Sequence, residues 1–294
     1  MDFAKAFDSV CHRRLLWKLQ FYSISGPLLK WFESYLIGRK QMVEINGSFS
    51  SWAYVKSGVP QGSVLGPILF LIYVNDMPKT VQDSKIAMFA DDTKCYKTIM
   101  SEADAELLQL DLDKLSDWSS INELDFQPKK CENLRISRKR ISFDRSYRTN
   151  NVELKCTSTQ KDLGIHITSD LSWDKHIESI TAKANRMLGF LKRNCSRILP
   201  KAALKTLYLA LVRSHLGYCS QVWAPQSVIK NMLLIESVQR RATKFICFNL
   251  ELNYRDRLYS LNLLPLNYWF EYLDLVFFFK SKMNEITIDL SNYT

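Results

Sequence analysis

The pattern of apolar and polar positions changes once along the chain. Before about residue 170, short helical and alternating stretches interleave; beyond it the spacing is helical throughout. Residues 1–9 read as a strand end running into a turn. Residues 12–22 carry Leu15, Leu16 and Leu19 at helical spacing. Residues 27–37 carry Leu28, Trp31, Phe32 and Tyr35, with Gly38 where a helix C-cap glycine belongs. Met42, Val43 and Ile45, then Asn46-Gly47, then Phe49 and Trp52 predict a hairpin. Residues 57–67 form a loop rich in Gly and Pro. It leads into apolar residues 68–74, whose periodicity fits a buried helix or a strand, and Pro67 at a first helical position favours helix. Residues 86–90 and 94–98 predict strands about a turn at Asp91-Asp92. Residues 102–119 predict an acidic amphipathic helix with Leu108, Leu112 and Leu115 on one face. Leu163, Ile165 and Ile167 alternate around Gly164 as a further strand.

After Trp173 a stripe of Ile177, Ile180, Ala184, Met187, Leu188 and Leu191 predicts a long helix, with Lys183, Arg186, Lys192 and Arg193 largely off it. Pro200 opens a second helix through Leu204, Leu207 and Leu211. Ile235, Val238, Ala242 and Phe245 mark a third, with Arg240, Arg241 and Lys244 on its polar side. Pro265 begins a fourth, whose stripe of Tyr268, Tyr272, Val276 and Phe279 is expected to be core. The fold class predicted is therefore α+β, with a mixed domain over residues 1–170 and a helical one over residues 171–294.

Composition narrows the partners. The 294 residues carry a net charge of +10, which fits a polyanion such as nucleic acid, although an acidic membrane surface would also attract it. Eight Lys/Arg between residues 129 and 148 face only Glu132 and Asp144. The seven cysteines form no C-x-x-C pair and, with the four histidines, no zinc spacing. Buried reduced thiols in an intracellular protein are expected. No Gly-Lys-Ser/Thr phosphate loop occurs, and Gly62-Ser63-Val64-Leu65-Gly66 misses the nucleophile-elbow spacing. The longest apolar run, residues 64–74, is about half the ~20 residues of a membrane span. No signal segment begins the sequence, so an intracellular, non-secreted protein of nucleus and/or cytoplasm is expected, with no membrane partner. Asn46-Gly47-Ser48, a formal glycosylation sequon, reads as a turn.

Three carboxylates carry the candidate chemistry: Asp2 at the start of a strand-turn, and Asp91-Asp92 after an apolar strand. Phosphoryl transfer to a 3′-hydroxyl uses two divalent ions about 3.5–4 Å apart, and Mg²⁺ asks for a few carboxylates plus the substrate's phosphates. An isolated Asp-Asp turn is usually solvated decoration; its company gives it meaning.

Five motifs stand in order: Asp2-Phe3-Ala4-Lys5-Ala6-Phe7-Asp8-Ser9-Val10; Ser57-Gly58-Val59-Pro60-Gln61-Gly62-Ser63-Val64-Leu65-Gly66-Pro67; Phe89-Ala90-Asp91-Asp92; Leu124-Asp125-Phe126-Gln127-Pro128-Lys129-Lys130-Cys131 behind Trp118; and Asp162-Leu163-Gly164-Ile165. From residue 2 to about residue 285 the chain resembles the reverse transcriptases of non-long-terminal-repeat (LINE-type, jockey-like) retrotransposons. Ser220-Gln221-Val222-Trp223-Ala224 and Glu236-Ser237-Val238-Gln239-Arg240-Arg241-Ala242 resemble their thumb segments.

The resemblance implies a polymerase palm of split β-α-β, ferredoxin-like form followed by a helical thumb. It implies RNA-directed DNA polymerisation on an RNA template, with a DNA primer or target-site DNA and deoxynucleoside triphosphates. Asp2, Asp91 and Asp92, with the Phe3 carbonyl, are implied to hold two Mg²⁺ ions, with Mn²⁺ as an alternative. Lys130 is implied to assist the departing pyrophosphate, although it is one of many lysines here. Phe7 falls at the family's steric gate against a ribose 2′-hydroxyl, with a core phenylalanine as the bland reading. An aromatic ring there disfavours a pure RNA polymerase. Gln61 and Gly62 are implied to contact the nucleotide, and Leu163 and Gly164 the primer. Asp8 is taken as structural. The first aspartate being residue 2, an N-terminally truncated member without fingers is expected, and a catalytically inactive remnant that only binds nucleic acid is the alternative.

Overall fold

The computed structural model describes residues 1–137, 145–195, 199–225, 228–248, 251–283 and 285–286. Two units, Met1–Ser158 and Thr159–Thr294, each enclose a core of their own. The hairpin that carries Leu163 and Gly164 belongs to the second.

In the first unit a 3-10 turn, Ala6–Asp8, leads to α1 (His12–Phe21) and α2 (Gly26–Leu36). Two short antiparallel pairs follow: β1 (Lys40–Gln41) pairs with β4 (Ala53–Tyr54), and β2 (Glu44–Ile45) with β3 (Ser48–Phe49). Asn46 and Gly47 both have positive φ, the two-residue hairpin turn expected of that dipeptide. Next come α3 (Leu65–Val74), β5 (Lys85–Phe89), β6 (Asp92–Tyr96), α4 (Glu102–Ile121), β7 (Glu132–Leu134), β8 (Arg148–Thr149), β9 (Val152–Glu153) and β10 (Lys155–Thr157). β5 and β6 are antiparallel, as are β8 and β9, while β7 and β10 run parallel. Mixed α and β structure is as expected. α3 begins before Pro67, which still lies in the first helical turn, where no N–H is missed.

Leu15 and Leu19 of α1, Leu69 and Phe70 of α3, and Leu112 and Leu115 of α4 meet in the core. One cation is buried with them. The Lys18 ammonium donates to the Tyr73 carbonyl and to Asp76 Oδ1 at 2.8 Å, and lies over the Tyr73 and Trp118 rings. Burial lowers its pKa, and the Asp76 carboxylate opposes that shift. The Trp118 indole N–H donates to the same Asp76 oxygen, so one carboxylate joins α1, α4 and the end of α3.

The second unit opens with the hairpin β11 (Thr159–Asp162) and β12 (Ile165–Thr168). α5 (Asp174–Asn194) and α6 (Lys201–Tyr208) follow, and α6 runs through a π-helical turn, Leu209–Arg213, into α7 (Ser214–Gly217). Then come α8 (Ser220–Trp223), α9 (Ile229–Cys247), α10 (Tyr254–Ser260) and α11 (Leu266–Lys282). Ile177, Ile180, Ala184, Leu188 and Leu191 of α5 pack with Ile235, Val238, Ala242 and Ile246 of α9.

Three expectations are corrected. The turn between β5 and β6 is Ala90-Asp91, not Asp91-Asp92: Phe89 pairs with Asp92, and Ala90 takes the positive φ (52°) that a two-residue turn demands. Leu163 and Gly164 are a hairpin turn, not strand interior, and both have positive φ. On α11 the expected stripe is largely outward, with Tyr268 57%, Tyr272 55% and Phe279 59% exposed. The buried face is Leu266 and Phe270, whose ring meets Trp223 edge-on at 5.6 Å. The helix is apolar nearly all round, so its pattern could not select a face. Part of the basic stretch after Lys129 lies outside the described residues.

Asp111 fixes the approach to the β5–β6 hairpin. Wholly buried on α4, it accepts the backbone N–H groups of Gln82 (3.1 Å), Asp83 (2.9 Å) and Ser84 (2.8 Å) and the Lys114 ammonium (3.1 Å). Burial alone would raise its pKa; these four donors outweigh it and hold the carboxyl down at about 2. With the folded value below the unfolded one, the unfolded chain protonates first as pH falls. The stabilisation is therefore whole above about pH 4 and lost on descent to pH 2, roughly 2 kcal/mol in all. Urea unfolding across that range should show the loss in the wild type and its absence in Asp111→Asn. At neutral pH, Asp111→Ala should cost about 3 kcal/mol by orphaning buried donors.

Candidate active site

The first residues of the chain lie between two neighbours. On one side Met1 N donates to the Thr93 carbonyl at 2.6 Å, and Thr93 N–H returns a bond to the Met1 carbonyl. That exchange pairs Met1 with Thr93, so Asp2 follows and Asp92 precedes a paired residue in the chain. On the other side Phe3 bridges Phe126, flanked by Gln127 N–H to the Asp2 carbonyl and Ala4 N–H to the Asp125 carbonyl, both 2.8 Å. Because Phe3 and Phe126 are a non-hydrogen-bonded pair, the Phe3 carbonyl turns away from residue 126, toward the side of the hairpin. The Phe3 ring is buried and stacked on Phe126 at 4.6 Å.

The Asp2 carboxylate is 40% exposed, with Lys130 Nζ at 3.7 Å from Oδ2. Both ends of that ion pair reach solvent, so it is weak and open to competition. Its backbone N–H meets Cys131 Sγ at 3.4 Å. Asp91 is half-buried at the turn and Asp92 exposed at the head of β6. Among the described residues, no three His, Cys, Asp or Glu side chains gather closely enough to enclose a metal ion.

A second loop is clasped onto the first. Gly58 N–H donates to the Val10 carbonyl and Val59 N–H to the Phe7 carbonyl, each at 2.8 Å, while the Ser57 hydroxyl donates to the Asp8 carbonyl. His12 Nε2 lies 2.8 Å from the Gly58 carbonyl. The approach is so close that a Cβ on Gly58, at φ 90°, would sit 2.8 Å from Asp8 Cα. Gln61 Nε2 donates to Asp8 Oδ1 at 2.7 Å. Ser63 Oγ donates to the Pro60 carbonyl and accepts Gly66 N–H, closing the loop into α3. Phe7, half-buried, stacks on the buried Phe70 of α3 at 4.4 Å.

Of the expected site residues, Asp2 and Lys130 form an ion pair, Asp91 and Asp92 lie at the turn and head of the hairpin whose Thr93 holds Met1, and Phe7 and Gln61 are on the clasp. Leu163 and Gly164 belong to the other unit. There the Tyr218 hydroxyl donates to the Leu163 carbonyl at 3.0 Å, and its ring covers Gly164, whose added Cβ would lie 3.2 Å away.

The family model for reverse transcriptase (RNA-dependent DNA polymerase) matches residues 1–190. The chain belongs to the reverse transcriptase family. It is similar to the probable RNA-directed DNA polymerase from transposon X-element of Drosophila melanogaster, with 28% identity over 84% of this chain and 28% of that protein. It is likewise similar to the RNA-directed DNA polymerase from mobile element jockey of Drosophila funebris, with 32% identity over 61% of this chain and 20% of that protein. The chain therefore spans less than a third of the length of these relatives.

Several residues that shape the site escaped the sequence reading. Cys131 supports the Asp2 backbone, His12 holds Gly58, and Tyr218 covers the Leu163-Gly164 turn. All are contacts distant in sequence, and only Gly58 and Gly164 left a signal, as glycines in loops. Gly58→Ala should destabilise the protein by at least about 2 kcal/mol, since it adds left-handed strain to a backbone clash. Gly62→Ala, at φ 79° in open space, should cost only the strain, about 1 kcal/mol. Urea unfolding of the two variants checks the ranking; equal costs would mean that the clasp yields freely.

Proposed function

We propose that this chain performs RNA-directed DNA synthesis for a non-long-terminal-repeat retrotransposon. It extends the 3′-end of a DNA primer, or of cleaved target-site DNA, on an RNA template using deoxynucleoside triphosphates. The observation that supports this reading is the hydrogen-bond exchange of Met1 with Thr93, which holds the Asp2 segment against the strand that begins at Asp92, with Lys130 paired to Asp2. The first unit acts as the palm and the second as the thumb, and the net charge of +10 suits their polyanionic substrates. No described helix is long and apolar enough to cross a membrane, in keeping with work in the nucleus and/or cytoplasm. The names of the relatives favour a polymerase over a remnant that only binds nucleic acid.

The donor set fits Mg²⁺, or Mn²⁺ in its place: carboxylate oxygens of Asp2, Asp91 and Asp92 and the Phe3 carbonyl are hard ligands, and such ions take only one or two carboxylates beside substrate phosphates and water. Two bound ions supply activation of the attacking 3′-hydroxyl and neutralisation of the leaving phosphate. The protein's own groups do the rest. Lys130 leaves its weak pair with Asp2 to place an ammonium by the departing pyrophosphate, stabilising or protonating its oxygen. Phe7, backed by buried Phe70, stands as a wall where a 2′-hydroxyl would sit. Gln61 and Gly62 meet the nucleotide, and the Leu163-Gly164 turn lies along the primer.

Primer extension by the chain on an RNA template tests this. Wild-type protein should incorporate deoxynucleotides, and Asp91→Asn should lower the rate by about 10²-fold or more. Equal activity in both would remove Asp91 from the site, and binding without extension would favour the remnant. Phe7→Ala should relax sugar selection toward the roughly 10²-fold or weaker discrimination of an open pocket. A uniform loss for both sugars would make Phe7 packing only.

A further inference from the structure

Asp8 has no part in the proposed metal set, yet its backbone is firmly held beside it. Its N–H donates to the Lys5 carbonyl at 2.9 Å, its carbonyl accepts the Ser57 hydroxyl at 2.8 Å, and Gly58 packs on its Cα. Its side chain, free of that backbone work, accepts the Gln61 amide NH₂ at 2.7 Å. Both partners are exposed, so burial does not dictate the contact. Gln61 reaches Asp8 because the clasp holds Pro60 beside the first loop.

The chemistry of the pair gives it a direction. A carboxylate only accepts hydrogen bonds, whereas a glutamine amide has one accepting and one donating end and turns easily about its last torsion. Left to itself, Gln61 would offer either end. Bonded to Asp8, the amide is fixed in one orientation with one of its two N–H groups spent, and the carbonyl oxygen is turned away from Asp8 toward a ligand. An accepting oxygen suits a hydroxyl, amino or ring N–H donor and is unsuited to phosphate oxygens, which are acceptors themselves.

We propose that Asp8 is a positioning residue: it orients the Gln61 amide so that its carbonyl oxygen, a hydrogen-bond acceptor, is presented to the sugar or base of the nucleotide. This rests on the reading above, in which Gln61 meets the nucleotide.

A double-mutant cycle on the full chain tests it, with Asp8→Ala, Gln61→Ala, both together, and Asp8→Asn. Single-nucleotide insertion on an RNA template gives KM and kcat for each. Asp8→Ala should raise the deoxynucleotide KM roughly 3- to 10-fold, the size of one hydrogen bond, with kcat little changed. In the Gln61→Ala background the same change should have no further effect, because its only route is through Gln61. Asp8→Asn, which can accept in one of its two amide orientations, should fall between wild type and Asp8→Ala. Additive losses in the cycle, or an unchanged KM in Asp8→Ala, would overturn the proposal. Wild-type protein that extends no primer would count against the polymerase reading, and NMR of the free chain then decides the Asp8 contact. The Gln61 side-chain NH₂ signals should stand apart from the other glutamines and collapse onto them in Asp8→Ala; collapse already in the wild type would overturn it.

Discussion

Residues 1–10 are gripped by three stretches far from them in sequence, and the grip is mostly main chain. Thr93 takes Met1, Asp125 and Gln127 take Ala4 and Asp2, and Gly58 and Val59 take Val10 and Phe7. Main-chain polar groups must find partners wherever water is excluded. This segment buries Phe3, Ala6 and Val10 between those bonds, so it has few other places to go. Each of the three stretches carries part of the candidate site: the Asp91-Asp92 hairpin, the Lys130 turn and the Gln61 loop. Their relative placement follows from one short segment.

The same segment sets an aromatic packing contact next to a carboxylate at two points. Phe3 goes inward onto Phe126 and its neighbour Asp2 stays half-exposed. Phe7 leans on Phe70, while the adjacent Asp8 is exposed and holds Gln61. Aromatic stacking at two points thus aims two carboxylates outward. Asp111 performs a related service at a distance, since the loop it pins through Gln82, Asp83 and Ser84 delivers β5 to the turn.

The alternation of elements, the Asn46-Gly47 turn, the α5 and α9 stripes and the ordered motifs were legible because each is local: a period, a turn dipeptide or a string of residues. What was misread depends on context. An alanine and a leucine at positive φ, Ala90 and Leu163, run against the steric preference of their residue types, so both hairpin turns were displaced or missed. α11 is apolar on most of its circumference, and its neighbours on α8 and α9 determine which face is inside. The contact of Asp8 with Gln61 left no local signal because the partners lie 53 residues apart. Lys18 gave no sign of burial, since its compensating carboxylate and carbonyl come from the end of α3.

Native-state hydrogen exchange tests most directly whether residues 1–10 hold the site together. The amides of Ala4, Gly58, Val59, Thr93 and Gln127 should be protected, and Phe3→Ala, which removes the stacking on Phe126, should lower the opening free energies of all five together. If Phe3→Ala releases Ala4 and Gln127 while Gly58, Val59 and Thr93 keep their full protection, the three stretches are held independently and the account fails.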